Sequence, residues 1–219
     1  MQYLYHKGSG DLTIELKGDE HRYIFKVRRH REGEIIALRN LEDSTLYYYK
    51  ISSLTKKEAH LTLQKSEKLI IEAKKKLHIG WCIIDPKNIE KVLPTLNEIG
   101  VASISFIYCK RSQKSFKVDF KRLNKILLNS SQQSGRSKIM KLDIVDSLEE
   151  FKRVYPDAKM LNFSNKKINK SQIDTIVIGC EGGFTNDEVK LFNSVIGFDT
   201  DLILKSESAI CALASKVLI

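Results

Sequence analysis

The sequence predicts an α/β protein in which a small N-terminal β domain precedes a mostly parallel sheet covered by helices. Between residues 77 and 219, buried-strand patterns alternate with amphipathic helix patterns, as in βα units. Residues 1 to 73 instead carry β-type stretches separated by turn signals such as Glu32-Gly33-Glu34, which favour a small barrel or sandwich. The composition changes at the lysine-rich stretch 73–76, so we expect one domain at 1–73 and a second at 74–219.

In the first domain, alternating apolar residues and aromatic or β-branched runs predict the strands. These strands cover residues 12–16, 35–38 and 46–51, with further short strands between 60 and 71. A basic cluster with interleaved aromatic residues lies between the first two strands. Such a cluster either stacks on RNA bases or packs in a core. The candidate RNA-binding residues of this cluster are Arg22, Lys26, Arg28 and Arg29.

In the second domain, short apolar runs predict strands and amphipathic stretches predict helices. The strands are expected at residues 79–84, 102–109, 142–145, 159–163, 176–178 and 202–204, and the helices at 88–99, 119–131, 148–154, 186–195 and 208–219. Ser147 and Thr185 each precede a glutamate by three residues, which is the pattern of a capping box at a helix start.

The central feature is the glycine-rich turn 179–183, which follows the apolar strand 176–178 and precedes a helix. Ligand crevices of α/β sheets form at the carboxyl ends of strands, where glycines let the backbone approach a ligand closely. A ligand site and a purely structural tight turn are equally open from this segment alone. The turn is not a P-loop, because no Gly-Lys-Ser/Thr follows it, and it lacks the GxGxxG spacing of a dinucleotide fingerprint.

Positive charge is concentrated in one part of the chain. The formal net charge is +10, and residues 105–141 hold ten lysines or arginines against one acid, Asp119. A lysine-rich solvated face is one interpretation, but such a concentration is typical of binding to nucleic-acid phosphates. The candidate RNA-binding residues of this segment are Lys110, Arg111, Lys114, Lys117 and Lys121.

Other residue types restrict the chemistry. The four cysteines form no C-x-x-C pair and predict buried free thiols, while the five histidines lack metal-ligand spacing, so we expect no metal. We find no apolar run of membrane-spanning length and no apolar leader pattern at the start, and we expect a cytoplasmic protein without a membrane partner.

Several motifs together resemble one known family. Residues 178–183 resemble the motif I-G-P-E-G-G, residues 204–209 resemble L-R-x-E-T-A, and residues 133–136 resemble Q-x-x-R. The order and spacing of these motifs are similar to those of the RsmE family of 16S ribosomal RNA uridine N3-methyltransferases, within the knotted SPOUT superfamily. The chain departs from the family pattern in carrying Cys180 for Pro, Lys205 for Arg and Ser208 for Thr.

The resemblance implies a PUA-like or OB-like β-barrel followed by a SPOUT methyltransferase domain with a trefoil knot. It further implies a homodimer that uses S-adenosylmethionine without a metal and methylates 16S rRNA, free or within the small ribosomal subunit. The rival hypothesis is a non-catalytic RNA-binding protein of ribosome assembly that keeps the fold.

The resemblance also implies site residues. Backbone groups of three loops are expected to bind the cofactor: Leu161, Asn162, Phe163, Gly179, Cys180, Glu181, Gly182, Gly183, Ile203, Leu204, Ser206, Glu207, Ser208 and Ala209. Arg136, expected in an exposed basic loop, would stabilise the developing N3 anion or simply belong to a basic surface. Glu181 is the candidate base, Glu207 has a structural or cofactor-orienting role, and Lys205 is a further RNA contact.

Overall fold

The computed structural model describes residues 3–219; Met1 and Gln2, the start of the predicted first domain, lie outside the described residues. The chain divides into two compact units. The N-terminal unit comprises Met1–Glu72 and Ser131–Ile139, and the C-terminal unit comprises Ala73–Ser130 and Met140–Ile219. The short segment Ser131–Ile139 therefore groups with the first unit, although the sequence predicts it within the second domain.

The described part of the N-terminal unit is built on a curled mixed sheet with the order β1-β3-β4-β5-β2. The strands are β1 (Leu4–Tyr5), β2 (Thr13–Lys17), β3 (Ile35–Arg39), β4 (Thr45–Leu54) and β5 (Glu58–Lys68). A short helix, α1 (Gly18–His21), runs into a π-helical turn, Arg22–Val27. One face of the sheet forms a core with Leu16, Leu38 and Ile51 at its centre. The expected short strands between residues 60 and 71 are instead part of the single long strand β5.

The segment Ser131–Ile139 is held to the N-terminal unit by hydrogen bonds. The Tyr3 hydroxyl donates to the Arg136 carbonyl at 2.9 Å, and the Tyr5 amide donates to the Gln132 side chain at 2.9 Å. The Ile71 amide donates to the Ser137 hydroxyl at 2.6 Å. These contacts join residues far apart in the sequence, so no local pattern in the segment could have indicated them.

The C-terminal unit contains a sheet in which every described pairing is parallel, with the order β11-β9-β10-β6-β7-β8. The strands are β6 (His78–Cys82), β7 (Ser103–Ile107), β8 (Lys141–Val145), β9 (Lys159–Leu161), β10 (Thr175–Ile178) and β11 (Val195–Ile196). The central strands β6, β7 and β10 are almost wholly buried, as the continuous apolar runs predict. The predicted α/β class is thus confirmed.

The helices of this unit start and end at recognisable signals. They are α2 (Pro86–Ile99), α3 (Phe120–Ser134), α4 (Leu148–Val154), α5 (Asn186–Lys190) and α6 (Ser206–Leu218). The last turn of α3, from Ser131, groups with the N-terminal unit. Ser147 caps α4, and the predicted capping box between Thr185 and Glu188 is present at α5. None of the helices in residues 3–219 combines the length and apolar character that a membrane crossing requires.

Two predictions in the last third of the chain are wrong. Residues 202–204 form no strand, and Leu202 and Ile203 are 75% and 80% exposed. The edge strand is β11, which lies where the sequence predicts the end of a helix, because α5 stops at Lys190. An apolar run of three residues looks the same whether it is buried in a sheet or exposed in a loop, so periodicity could not separate the two.

Candidate functional site

A cavity of about 660 Å³ opens at the carboxyl ends of β9 and β10 in the C-terminal unit. It is lined by the loops that follow β9, β10 and β11 and by the segment that leads into α6. The predicted cofactor residues that line it are Leu161, Asn162, Phe163, Gly179, Cys180, Glu181, Gly182, Gly183, Ile203, Leu204, Ser206 and Ala209. Glu207 and Ser208, which were also predicted, do not line it.

The glycine turn is fixed in place by side chains from three elements. The buried Trp81 of β6 donates its indole N–H to the Ser206 hydroxyl at 2.9 Å, and that hydroxyl donates to the Gly179 carbonyl at 2.6 Å. At the other end of the turn, the Arg111 guanidinium donates to the Gly182 carbonyl at 2.7 Å. Arg111, predicted to bind RNA, thus also holds the wall of the cavity.

A buried carboxylate orders the helix that follows the turn. The side chain of Glu188 is 1% exposed and accepts hydrogen bonds from the Lys110 and Thr185 amides, each at 2.7 Å. It thereby ties the loop after β7 to the first turn of α5. The start of the helix that follows the glycine turn is therefore anchored to the neighbouring loop.

Two glycines of the cavity wall are required for different physical reasons. Gly183 has φ +65°, a left-handed conformation that other residues adopt only with strain. A Cβ on Gly197 would lie 2.9 Å from the carbonyl oxygens of both Asn162 and Ser164, so the two backbones approach too closely for any side chain. The sequence analysis missed Gly197. A glycine directly after a short apolar run can mark a close approach of two backbones, and this pattern could have indicated it.

Charged groups lie at the mouth of the cavity. Glu181 and Lys205 are exposed and line it, together with Asp201 and Lys167. Lys167 is paired with Asp199 at 3.3 Å. One oxygen of Glu207 is buried and has no hydrogen-bond partner within the part of the chain that the structure describes. Lys167 and Asp201 are further residues that sequence reasoning missed, because they lie in polar loops that show no periodicity.

The predicted RNA-binding residues are accessible. Arg22, Lys26, Arg28 and Arg29 are exposed in the N-terminal unit, where the Arg28 guanidinium lies 5.4 Å from the centre of the Tyr23 ring. In the C-terminal unit, the predicted residues Lys110, Arg111, Lys114, Lys117, Lys121 and Lys205 are all exposed. Exposed cations beside aromatic rings suit contacts with phosphates and bases.

Arg136 does not lie in an exposed loop, and that expectation is wrong. The side chain is 7% exposed within the N-terminal unit, and it does not line the cavity. Burial lowers the pKa of its guanidinium, since a charged group loses hydration inside a protein. The carbonyl of the same residue accepts the hydrogen bond from Tyr3. Its predicted contact with RNA stays a prediction.

Comparison with known proteins is consistent with this architecture. A family model described as an RNA methyltransferase domain matches residues 71–218, and one described as an RNA methyltransferase PUA domain matches residues 16–64. A protein of Helicobacter pylori named ribosomal RNA small subunit methyltransferase E is 35% identical over 222 aligned positions, covering 98% of each chain. A protein of the same name from Mesomycoplasma hyopneumoniae is 32% identical and covers 66% of this chain and 70% of its own.

A solved structure has the same fold. The ribosomal RNA small subunit methyltransferase E of Neisseria gonorrhoeae, bound to S-adenosyl methionine, superposes with a TM-score of 0.81. The superposition covers 99% of this chain and 96% of that chain at 20% identity. At this identity the likeness concerns the fold, and it agrees with the order and parallel direction of the C-terminal strands.

Proposed function

This chain belongs to the family of ribosomal RNA small subunit methyltransferases E, and from that premise we propose that it methylates N3 of a uridine in 16S ribosomal RNA with S-adenosylmethionine as methyl donor. The observation that carries the proposal is the identity of 35% to the Helicobacter pylori relative over nearly the full length of both chains. It combines with a ligand-sized cavity at the glycine turn. The enzyme is thus an S-adenosylmethionine-dependent rRNA methyltransferase.

The residues of the cavity fit this cofactor. Its volume of about 660 Å³ is within the range of roughly 300–1,000 Å³ found for small-molecule sites. The glycine turn presents backbone groups without side chains in front of them, and the apolar side chains of Leu161, Ile203 and Leu204 suit an adenine ring. The carboxylates of Glu181 and Asp201 suit the positive charge of the amino acid or sulfonium part.

The chain's own groups then have three tasks. S-adenosylmethionine, when bound, supplies a methyl group activated by its sulfonium. The turn and the segment before α6 orient the cofactor, because positioning provides much of the rate in such a transfer. Glu181, exposed in the turn, is our candidate for accepting the N3 proton of the uridine. The exposed lysines and arginines bind the RNA backbone.

We also propose a cytoplasmic homodimer whose methyltransferase domain contains a trefoil knot. Phe163, Leu202 and Ile203 are 75–80% exposed at the cavity mouth, and a second subunit would remove this apolar surface from water.

In such a dimer Arg136 would stabilise the N3 anion of RNA held at the partner's cavity. Because the Arg136 side chain is buried, this role requires a state of the protein in which the guanidinium contacts RNA or the partner.

Isothermal titration calorimetry with S-adenosylmethionine and S-adenosylhomocysteine tests the cofactor assignment. We expect both molecules to bind at one site per chain. Binding of neither would favour the rival hypothesis, a non-catalytic RNA-binding protein of ribosome assembly.

A further inference from the structure

Three cysteines, one of them within the glycine turn, meet at the carboxyl ends of three adjacent strands. Cys82 is the last residue of β6, Cys109 follows β7 by two residues, and Cys180 follows β10 by two residues. All three are buried free thiols, as the sequence predicts, whereas Cys211 is only half-buried. The Cys109 and Cys180 sulfurs are 3.6 Å apart. Parallel strands that end at one edge of a sheet explain why residues so distant in the sequence converge there.

We propose that Cys109 and Cys180 are an oxidisable dithiol whose disulfide weakens cofactor binding, so that the site of the proposed methyl transfer responds to peroxides. The effect on cofactor binding rests on the proposed function, whereas the thiol pair itself is a feature of the fold. Cys180 is also one of the positions where the chain departs from the RsmE motif, which has proline there.

The choice of Cys180 as the partner of Cys109 follows from the backbone around each thiol. A disulfide needs a sulfur–sulfur distance of about 2.05 Å, so the two sulfurs must approach by about 1.5 Å. Cys180 lies beyond the end of β10, in the turn 179–183, so it can shift without breaking a strand pairing. Cys82 is instead the last residue of β6, where parallel pairing with Ile107 of β7 holds its backbone. It therefore cannot move as easily.

The surroundings of Cys109 favour the thiolate that such chemistry needs. Hydrogen bonds from the thiols of Cys180 and Cys82 and from the Ser112 hydroxyl, the last at 3.2 Å, stabilise a negative sulfur. They lower the pKa of Cys109, because a hydrogen bond to the charged form favours that form. The thiolate is the nucleophile in cysteine oxidation. Cys109 is thus the sulfur that attacks first.

The reaction balances with hydrogen peroxide as the oxidant. The Cys109 thiolate attacks one peroxide oxygen, the O–O bond breaks, and the departing hydroxide takes the Cys180 proton to become water. The Cys180 thiolate then attacks the sulfenic sulfur of Cys109, the S–O bond breaks, and the second hydroxide leaves and is protonated by solvent. Both sulfurs are oxidised by one electron, and the peroxide is reduced to water.

The consequence for the cofactor follows from the place of Cys180 in the cavity wall. Its carbonyl accepts a hydrogen bond from the Gly183 amide at 2.9 Å, so a displacement of Cys180 is passed to the rest of the turn. A shift of about 1 Å in positioning groups can reduce a rate roughly a hundredfold. We expect the disulfide also to weaken S-adenosylhomocysteine binding by roughly tenfold, equivalent to about 1.4 kcal/mol. By linkage, bound S-adenosylhomocysteine should make the disulfide less stable relative to the two thiols at equilibrium.

The test uses the full chain treated with hydrogen peroxide or with a reducing agent. Intact-mass measurement should show the loss of two hydrogen atoms after oxidation, and peptide mapping should join the Cys109 and Cys180 peptides. Calorimetry should then show weaker S-adenosylhomocysteine binding for the oxidised protein and full recovery after reduction.

Matched variants separate this switch from general oxidative damage. Cys109→Ser should keep the cofactor affinity of the reduced parent and lose the response to peroxide, whereas Cys211→Ser should respond as the parent does. A crosslink to any other cysteine, or an oxidised protein that binds as tightly as the reduced one, would overturn the inference. If the reduced protein binds no cofactor while the disulfide still forms, the proposed function fails instead.

Discussion

The hydrogen-bond chain from Trp81 through Ser206 to Gly179 gives the sharpest prediction about the site. Ser206→Ala removes a hydroxyl that is 6% exposed and leaves both the Trp81 indole N–H and the Gly179 carbonyl without their partner. Each buried polar group left unsatisfied costs about 1–3 kcal/mol, so we expect a loss of about 2–4 kcal/mol in the free energy of unfolding. The turn also loses its fixed position, and cofactor affinity should fall roughly tenfold, equivalent to about 1.4 kcal/mol.

Urea unfolding and calorimetry with S-adenosylhomocysteine measure the two effects. Ser215→Ala, on the same helix but outside the cavity, is the matched control and should change the free energy of unfolding by less than about 0.5 kcal/mol. A double-mutant cycle with Trp81→Phe should give a coupling energy of about 1 kcal/mol, because the two groups share a hydrogen bond. If Ser206→Ala is no more destabilising than Ser215→Ala, the chain of hydrogen bonds does not support the turn.

Gly197→Ala should destabilise the protein by about 1–3 kcal/mol in urea unfolding and weaken cofactor binding, because the added Cβ meets backbone oxygens and the cavity wall must move. Unchanged cofactor affinity would mean that this movement does not disturb the site. Four exposed lysines are predicted to contact RNA phosphates: Lys110, Lys114, Lys117 and Lys121. Replacing all four with glutamine should reduce the slope of log RNA affinity against log salt concentration by roughly 3, without affecting cofactor affinity. An unchanged slope would mean that these lysines form only a solvated face. Arg136→Ala should lower the melting temperature and abolish methyl transfer while cofactor binding persists, and full activity would exclude its proposed contact with RNA. Burial lowers the pKa of His78, so protonation favours the unfolded chain. The free energy of unfolding should therefore fall as the pH drops below about 6.5, the pKa of histidine in an unfolded chain. His78→Gln should reduce this pH dependence, and an equal loss of stability in parent and variant would show that His78 is not its source.

The sequence was most informative where local pattern and fold agree. The apolar runs of β6, β7 and β10 and the capping box of Thr185 and Glu188 predict the elements on either side of the glycine turn, and the structure confirms them. These features depend on side-chain periodicity and on contacts over three residues, which a sequence displays directly.

The features that the sequence did not predict depend on contacts between distant residues. The buried Arg136 is bonded through its carbonyl to Tyr3, 133 residues away, and the close approach that requires Gly197 joins two loops. The cluster of Cys109 and Cys180 likewise exists only after the strands have been ordered in the sheet. In each case the relevant neighbour is many residues away, and no spacing within one segment could reveal it.

Methyl transfer to purified RNA tests the central claim most directly. Unmodified 16S rRNA and small ribosomal subunits that contain it are each incubated with the protein and isotopically labelled S-adenosylmethionine, and the digested nucleosides are separated and analysed by mass spectrometry. The proposed function predicts labelled 3-methyluridine from at least one of the two substrates, at one position of the RNA, and none with the Gly182→Val variant. A protein that binds the cofactor yet transfers label to neither substrate, or yields a different methylated nucleoside, would contradict it.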